Sequence, residues 1–227
     1  MRLLDLFAGA GGAARGYQMA GFHVTGIDIK PQPRYGGDVF VQADALEYVA
    51  AHGNEYDAIH ASPPCQAFTA LKSMWNSRTH PDLIEPTRAA LVAMGKPYVI
   101  ENVPGAPLRA SVMLCGTMFN LGVEDAELRR HRYFELNFPV ALLPPCAHYV
   151  RGRVIGVYGG HGRDRRRTVT VTGDSGGRSV RDGTQQFSVQ ARSVAMGIDW
   201  MTGAELSQAI PPAYTEWIGR QLKGIEA

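Results

Sequence analysis

The run Leu3-Leu4-Asp5-Leu6-Phe7-Ala8-Gly9-Ala10-Gly11-Gly12, continued by Ala13-Ala14-Arg15-Gly16-Tyr17-Gln18-Met19-Ala20, most restricts what this chain can become. Its first half is a short apolar run that predicts a buried strand, and its second half is compatible with a helix. Glycines between the two let the backbone turn sharply and approach a ligand at the helix N-terminus, where unpaired N–H groups collect. A second strand, from His23 to Ile27, ends at Asp28. Gly9, Gly11 and Ala14 satisfy the G-x-G-x-x-G/A fingerprint, and an acidic residue after the second strand is placed to accept from ribose hydroxyls. The expectation is an open α/β sheet with a nucleoside site, against the blander alternative of a glycine turn that holds nothing. NAD and S-adenosylmethionine both present an adenosine, so the fingerprint alone does not choose between them.

A second signal is Pro63-Pro64-Cys65-Gln66, which follows the apolar run Ala58-Ile59-His60-Ala61. A residue placed where such a strand ends lies at the rim where open α/β sheets bind ligands. The two prolines fix the local backbone and so set the direction of the thiol. Taken alone, Cys65 is equally well read as a nucleophile or as a buried, inert cysteine.

Asp5-Leu6-Phe7-Ala8-Gly9-Ala10-Gly11-Gly12, Pro64-Cys65-Gln66, Glu101-Asn102-Val103 and Arg130-His131-Arg132 occur in the order found in the DNA cytosine-C5 methyltransferases, a family that this chain resembles. Ala209-Ile210-Pro211-Pro212 with Ile218-Gly219 is similar to that family's last motif. The resemblance runs from residue 3 to about residue 219, apart from a poorly matching stretch between roughly 140 and 187. It implies a Rossmann-like, S-adenosylmethionine-dependent methyltransferase fold with a small β-rich recognition insert. Residues 1–139 and 188–227 would form the catalytic domain, and 140–187 a reduced target-recognition insert. NAD chemistry has no use for this cysteine or this Glu-Asn pair.

Carbon 5 of cytosine is a poor nucleophile within an aromatic ring. A thiolate adding at C6 makes C5 enamine-like, able to attack a methylsulfonium. By the resemblance Cys65 is that thiolate, and Glu101, at the end of the apolar strand Tyr98-Val99-Ile100, shares or donates the proton at N3. A partly desolvated carboxyl has its pKa raised toward neutrality, which suits the role. Arg130 and Arg132 would hold the base, the carboxylate or a phosphate, and Gln66 and Asn102 would contact the substrate. Phe7, Ala8, Gly9, Gly11, Gly12, Asp28, Ile29 and Pro64 would line the S-adenosylmethionine site, with S-adenosylhomocysteine as product. Asp44 matches the position that accepts from the adenine amino group, and it suits equally well an N-cap for a helix from Ala45 to Ala51.

At 227 residues and 45% hydrophobic, the chain buries a full core without disulfides. An odd cysteine count of 3 points to a reducing compartment, so the expected location is a bacterial or phage-infected cytoplasm, with no membrane association. Cys115 lies in an apolar stretch that predicts core. Cys146 and His148 form a lone C-x-H with no second pair in sequence, and no metal site is expected there.

The net charge of +2 hides a strong asymmetry. Val150 to Arg192 holds nine arginines, three aspartates and no lysine, while the remainder holds 14 basic and 18 acidic residues. Arg163, Arg165, Arg166 and Arg167 lie in this stretch between two β-like pieces, Val154–Tyr158 and Thr168–Thr172, and are expected to face phosphates. A flexible linker is the alternative. The stretch is short for reading several base pairs, so specificity is loose or the substrate is not a long duplex. Leu128, where the family commonly carries Gln, and Ser207-Gln208, where it carries Gly-Asn, are further departures.

The expected partner is double-stranded DNA, acted on by a monomer similar to stand-alone phage or restriction-modification enzymes. RNA or a free cytidine nucleotide is the alternative substrate, and a silent DNA-binding protein is a second alternative. The loop from Ala67 to His80 is expected to close over a base drawn out of its stack.

Overall fold

The computed structural model describes residues 1–64, 82–123, 126–141, 145–148, 153–155, 157 and 187–224. Cys65, Gln66, the expected closing loop and the arginines from 163 to 167 lie outside these residues. Seven strands form the main sheet: β1 (Arg2–Leu6), β2 (His23–Asp28), β3 (Val39–Gln42), β4 (Ala58–Ala61), β5 (Tyr98–Asn102), β6 (Val112–Leu114) and β9 (Arg132–Leu136). Their order is β3-β2-β1-β4-β5-β9-β6. The first five are mutually parallel, and β9 runs antiparallel between β5 and β6. Strand order reverses on either side of β1, which opens a crevice at the carboxyl ends of β1 and β4.

Alternation along the strands explains the two layers around this sheet. Leu3, Val24, Ala58 and Val99 face one way, into a core shared with α1 (Gly12–Met19) and α6 (Pro212–Gly224). Leu4, Leu6, Ile27, Ile59 and Ile100 face the other way, toward α2 (Ala45–His52) and α3 (Ile84–Met94). Side chains with a period of two on strands covered by helices on both sides give continuous apolar runs rather than polar–apolar alternation.

The glycines of α1 matter for packing as well as for turning. A Cβ on Gly16 would lie 2.1 Å from the carbonyl oxygen of Pro212, and one on Gly12 would lie 2.6 Å from that of Ile210. On the other helix, a Cβ on Gly219 would lie 2.7 Å from the Ala20 side chain. The two helices therefore approach at backbone distance. Thr215 seals the contact by donating from Oγ1 to the Ala13 carbonyl at 2.8 Å. Gly12 thus packs against the Ala209–Ile210 segment that leads into α6.

A second, smaller sheet joins β7 (Gly122–Val123), β8 (Ala126–Leu128) and β10 (Arg153–Ile155), with β10 parallel to β8. Leu128, Ile155 and Val157 are buried in one cluster with Phe187, Ala195, Met196, Ile198 and Leu206. These last residues belong to or flank α4 (Val189–Met196) and α5 (Gly203–Gln208). Leu128 has no exposed surface, so an apolar side chain suits this position where the resembled family carries Gln. Ile155, Val157 and Phe187 of the 140–187 stretch therefore enter a core built with β8 and α4. Thr202 and Glu205 form a capping box at the start of α5.

Candidate active site at the strand ends

The loop after β1 has a backbone that few side chains tolerate. Gly9 and Gly11 have φ of 51° and 81°, and Phe7, which is not glycine, has φ of 59°. A non-glycine residue held in the left-handed region is strained, and such residues gather at functional sites. The loop is tied to the end of β2: Ala8 N donates to the Ile27 carbonyl at 3.0 Å, and Gly9 N donates to Asp28 Oδ2 at 2.9 Å. Asp28 Oδ1 accepts from Lys30 N at 2.9 Å, which orients the carboxylate at the strand end.

A Cβ on Gly9 would meet nothing within 4 Å among the described residues, so the loop borders open space left by them. Ile29, beside Asp28, is 67% exposed, an apolar surface next to an acceptor. Open space, an oriented carboxylate and an exposed apolar side chain match what an adenosine requires. Asp44 caps α2, its Oδ1 accepting from Leu46 N at 2.8 Å and Glu47 N at 3.0 Å. Both bonds fall on one oxygen of an exposed side chain.

The chemistry-bearing end lies on β4 and β5. Glu101 is buried, and its Oε1 lies 2.9 Å from Arg132 Nε on the neighbouring strand β9. The approach is close but off the hydrogen-bonding axis, so that oxygen keeps its acceptor capacity. Burial pushes the Glu101 carboxyl above its ordinary value, while Arg132, Arg130 and a hydrogen bond from Ser62 pull back against it. The next residue, Asn102, donates from Nδ2 to the Pro63 carbonyl at 2.9 Å and accepts from Val103 N at the same distance. It therefore grips the turn that leads into Cys65.

Arg130 behaves differently from the expectation. It has no exposed surface, and its guanidinium donates to the carbonyls of Val157, Ser207 (2.9 Å) and Ala209 (2.7 Å). Those bonds join the small sheet to the segment before α6, and Tyr214 OH donates back to the Arg130 carbonyl at 2.6 Å. Arg130 reaches Glu101 through its field and positions structure, whereas Arg132 touches the carboxylate. Ser207 serves by presenting a carbonyl, a task that does not depend on its side chain.

Two further groups, His60 and Asp5, escaped the sequence reading. His60 is fully buried, with Nδ1 2.9 Å from Tyr17 OH and Nε2 2.9 Å from Ser62 Oγ. Desolvation pushes its pKa down to about 3, so the ring is neutral. With Tyr17 donating to Nδ1, Nε2–H donates to Ser62, and the Ser62 hydroxyl is left to donate to Glu101. Asp5 is also buried, and neither carboxyl oxygen has a hydrogen-bond partner among the described residues. Burial, then the charges of Asp28 and Glu101, push its pKa well up, favouring the neutral acid. The signal for His60 was present, since a histidine inside a buried strand requires partners on both nitrogens.

No protein-family model matches the chain. A segment is 30% identical over 118 residues, 45% of the chain, to the type II methyltransferase M.XorII of Xanthomonas oryzae pv. oryzae. The chain spans 28% of the length of that relative. Among solved structures, a protein described as a DNA modification methyltransferase encoded within an E. coli prophage superimposes with a TM-score of 0.61 at 14% identity, covering 100% of this chain and 99% of the other. The S. pombe Dnmt2 methyltransferase gives 0.59, and the Entamoeba histolytica methyltransferase EhMeth gives 0.58, each at 14% identity with the same coverage. The fold is the one these methyltransferases share, an α/β fold with a large, mostly parallel sheet, as expected. No helix among the described residues is long and apolar enough to cross a membrane.

Proposed function

We propose that the protein transfers a methyl group from S-adenosylmethionine to C5 of cytosine in DNA. The observation that carries this reading is the pair of adjacent residues at the end of β5. Glu101 presents a buried acid, and Asn102 holds the turn that delivers Cys65, both beside the glycine crevice. Phe7, Gly9, Gly11, Asp28 and Ile29 would hold the cofactor, with Asp28 accepting from the ribose and Ile29 covering the adenine. When bound, S-adenosylmethionine supplies an electrophilic methyl group.

Cys65 attacks C6 of an extruded cytosine as a thiolate, forming a C–S bond. Glu101 gives a proton to N3 as negative charge enters the ring, and Arg132 stabilises the resulting carboxylate. C5 then takes the methyl group. Loss of the C5 proton to a base expels the Cys65 thiolate, and N3 returns its proton to Glu101 as the aromatic ring is restored. Ser62, oriented by neutral His60, holds Glu101 in place throughout. The arginine-rich stretch from Val150 to Arg192 supplies the phosphate-facing charge for a polymeric substrate.

DNA containing 5-fluorocytosine tests the covalent step, since fluorine at C5 blocks the elimination that releases the enzyme. The proposal predicts a denaturant-resistant protein–DNA complex that requires cofactor and disappears in Cys65→Ser. A complex that persists in Cys65→Ser contradicts it. The brevity of the recognition stretch favours RNA as the second substrate to try.

A further inference from the structure

Four side chains distant in sequence meet on the far side of Arg130 and Arg132. Cys115 follows β6, His131 precedes β9, and Cys146 and His148 lie in the segment after the main sheet. Their ligand atoms all lie within 4.8 Å of one another. His131 Nε2 and His148 Nε2 are 3.2 Å apart. Cys146 Sγ is 3.1 Å from His148 Nε2 and 3.5 Å from His131 Nε2, and Cys115 Sγ is 3.4 Å from His148 Nε2. The second pair that Cys146 and His148 lack in sequence is thus supplied in space by Cys115 and His131.

Hydrogen bonding alone gives a poor account of this convergence. The Nε2 of His148 has one lone pair or one proton, yet it faces another imidazole nitrogen and two sulfurs. A tetrahedral zinc ion, with bonds of about 2.3 Å to sulfur and about 2.0 Å to nitrogen, holds its ligand atoms roughly 3.3–3.8 Å apart. The four separations of 3.1, 3.2, 3.4 and 3.5 Å lie at or just below the short end of that range. Thr117 Oγ1 donates to Cys115 Sγ at 3.4 Å and lies 3.9 Å from Cys146 Sγ, the kind of outer hydrogen bond that supports metal-bound thiolates.

We infer that Cys115, His131, Cys146 and His148 bind one zinc ion as a closed, structural site. Two thiolates and two neutral imidazoles fill all four tetrahedral positions, which leaves none for a reacting water. The ion fastens the segment entering the arginine-rich stretch to the main sheet. It also fixes His131, which stands between Arg130 and Arg132, and so holds the strand that presents Arg132 to Glu101.

Metal analysis of the full-length protein, purified without chelator, tests this directly. One zinc per chain is expected. Cobalt replacing zinc should give the thiolate charge-transfer and intense visible bands of a tetrahedral S2N2 site. The double variant Cys146→Ala/His148→Ala should fall to background zinc, and its melting temperature should no longer respond to chelator. Any of three results overturns the inference: parent protein that neither carries nor takes up zinc, a double variant that retains it, or a Cys115–Cys146 disulfide found by mass spectrometry. Should the double variant not fold, parent stoichiometry and the cobalt spectrum decide.

Discussion

Asn102 Nδ2 donates to the main-chain carbonyl of Pro63 across 2.9 Å, linking the end of β5 to the end of β4. Both partners are buried, so the bond replaces water that neither group can recruit. One residue thereby locks the turn into Cys65 and follows the acid in the chain. Replacing Asn102 with Ala should destabilise the fold by about 1–3 kcal/mol, the cost of leaving a buried carbonyl unpaired. The same variant should lose far more in kcat than this stability change alone produces. Urea unfolding and steady-state kinetics on one preparation check both expectations.

The two arginines flanking His131 should separate cleanly. Arg130→Ala removes the bonds to the carbonyls of Val157, Ser207 and Ala209, and should cost about 3 kcal/mol of stability or more. Arg132→Ala leaves Glu101 able to protonate in place, so it should cost less stability than Arg130→Ala while reducing kcat more. Thermal melts and turnover of the two variants, compared side by side, provide the check.

Glu101→Gln keeps a hydrogen-bond donor but cannot deliver its proton. A loss of about 10²–10⁴-fold in kcat is expected, with cofactor affinity unchanged by calorimetry. In the parent, kcat should fall on the alkaline side as the raised carboxyl ionises. Arg132 stabilises the charged form of Glu101. Whatever activity Arg132→Ala retains should therefore have its alkaline limb displaced to higher pH.

Asp5 makes stability depend on pH in a direction set by burial. Its folded-state pKa is raised well above the ordinary 3.8, so between the two values the folded chain binds more protons than the unfolded one. Stability from this group is full below the unfolded value and is lost as pH rises through the folded value. Asp5→Asn should flatten that slope and melt higher than the parent at alkaline pH. A melting-temperature series against pH checks it, and an unchanged slope would count against a raised Asp5.

Much of the architecture was legible because it is local. The strand–glycine–helix opening, the capping box at Thr202 and Glu205, and the final helix at Pro212 follow from short-range chemistry. What escaped depends on distant contacts. The close packing of Gly12 on Ala209 and Ile210 depends on a segment nearly two hundred residues later in the chain. Arg130 and Arg132 are two residues apart in sequence, yet their guanidinium groups find different neighbours. Cys146-x-His148 looked isolated because Cys115 and His131 come from elements far earlier in the chain.

Methyl transfer itself is tested by incubating the protein with methyl-labelled S-adenosylmethionine and, in parallel, unmethylated DNA, transfer RNA and cytidine nucleotides. Each reaction is then digested to nucleosides. The account predicts label in 5-methyldeoxycytidine from the DNA reaction, absent when Cys65 is replaced by Ser. Label confined to RNA or nucleotide would move the substrate and leave the C5 chemistry standing. Label on any position other than C5 of cytosine, or undiminished label in Cys65→Ser, would contradict the account.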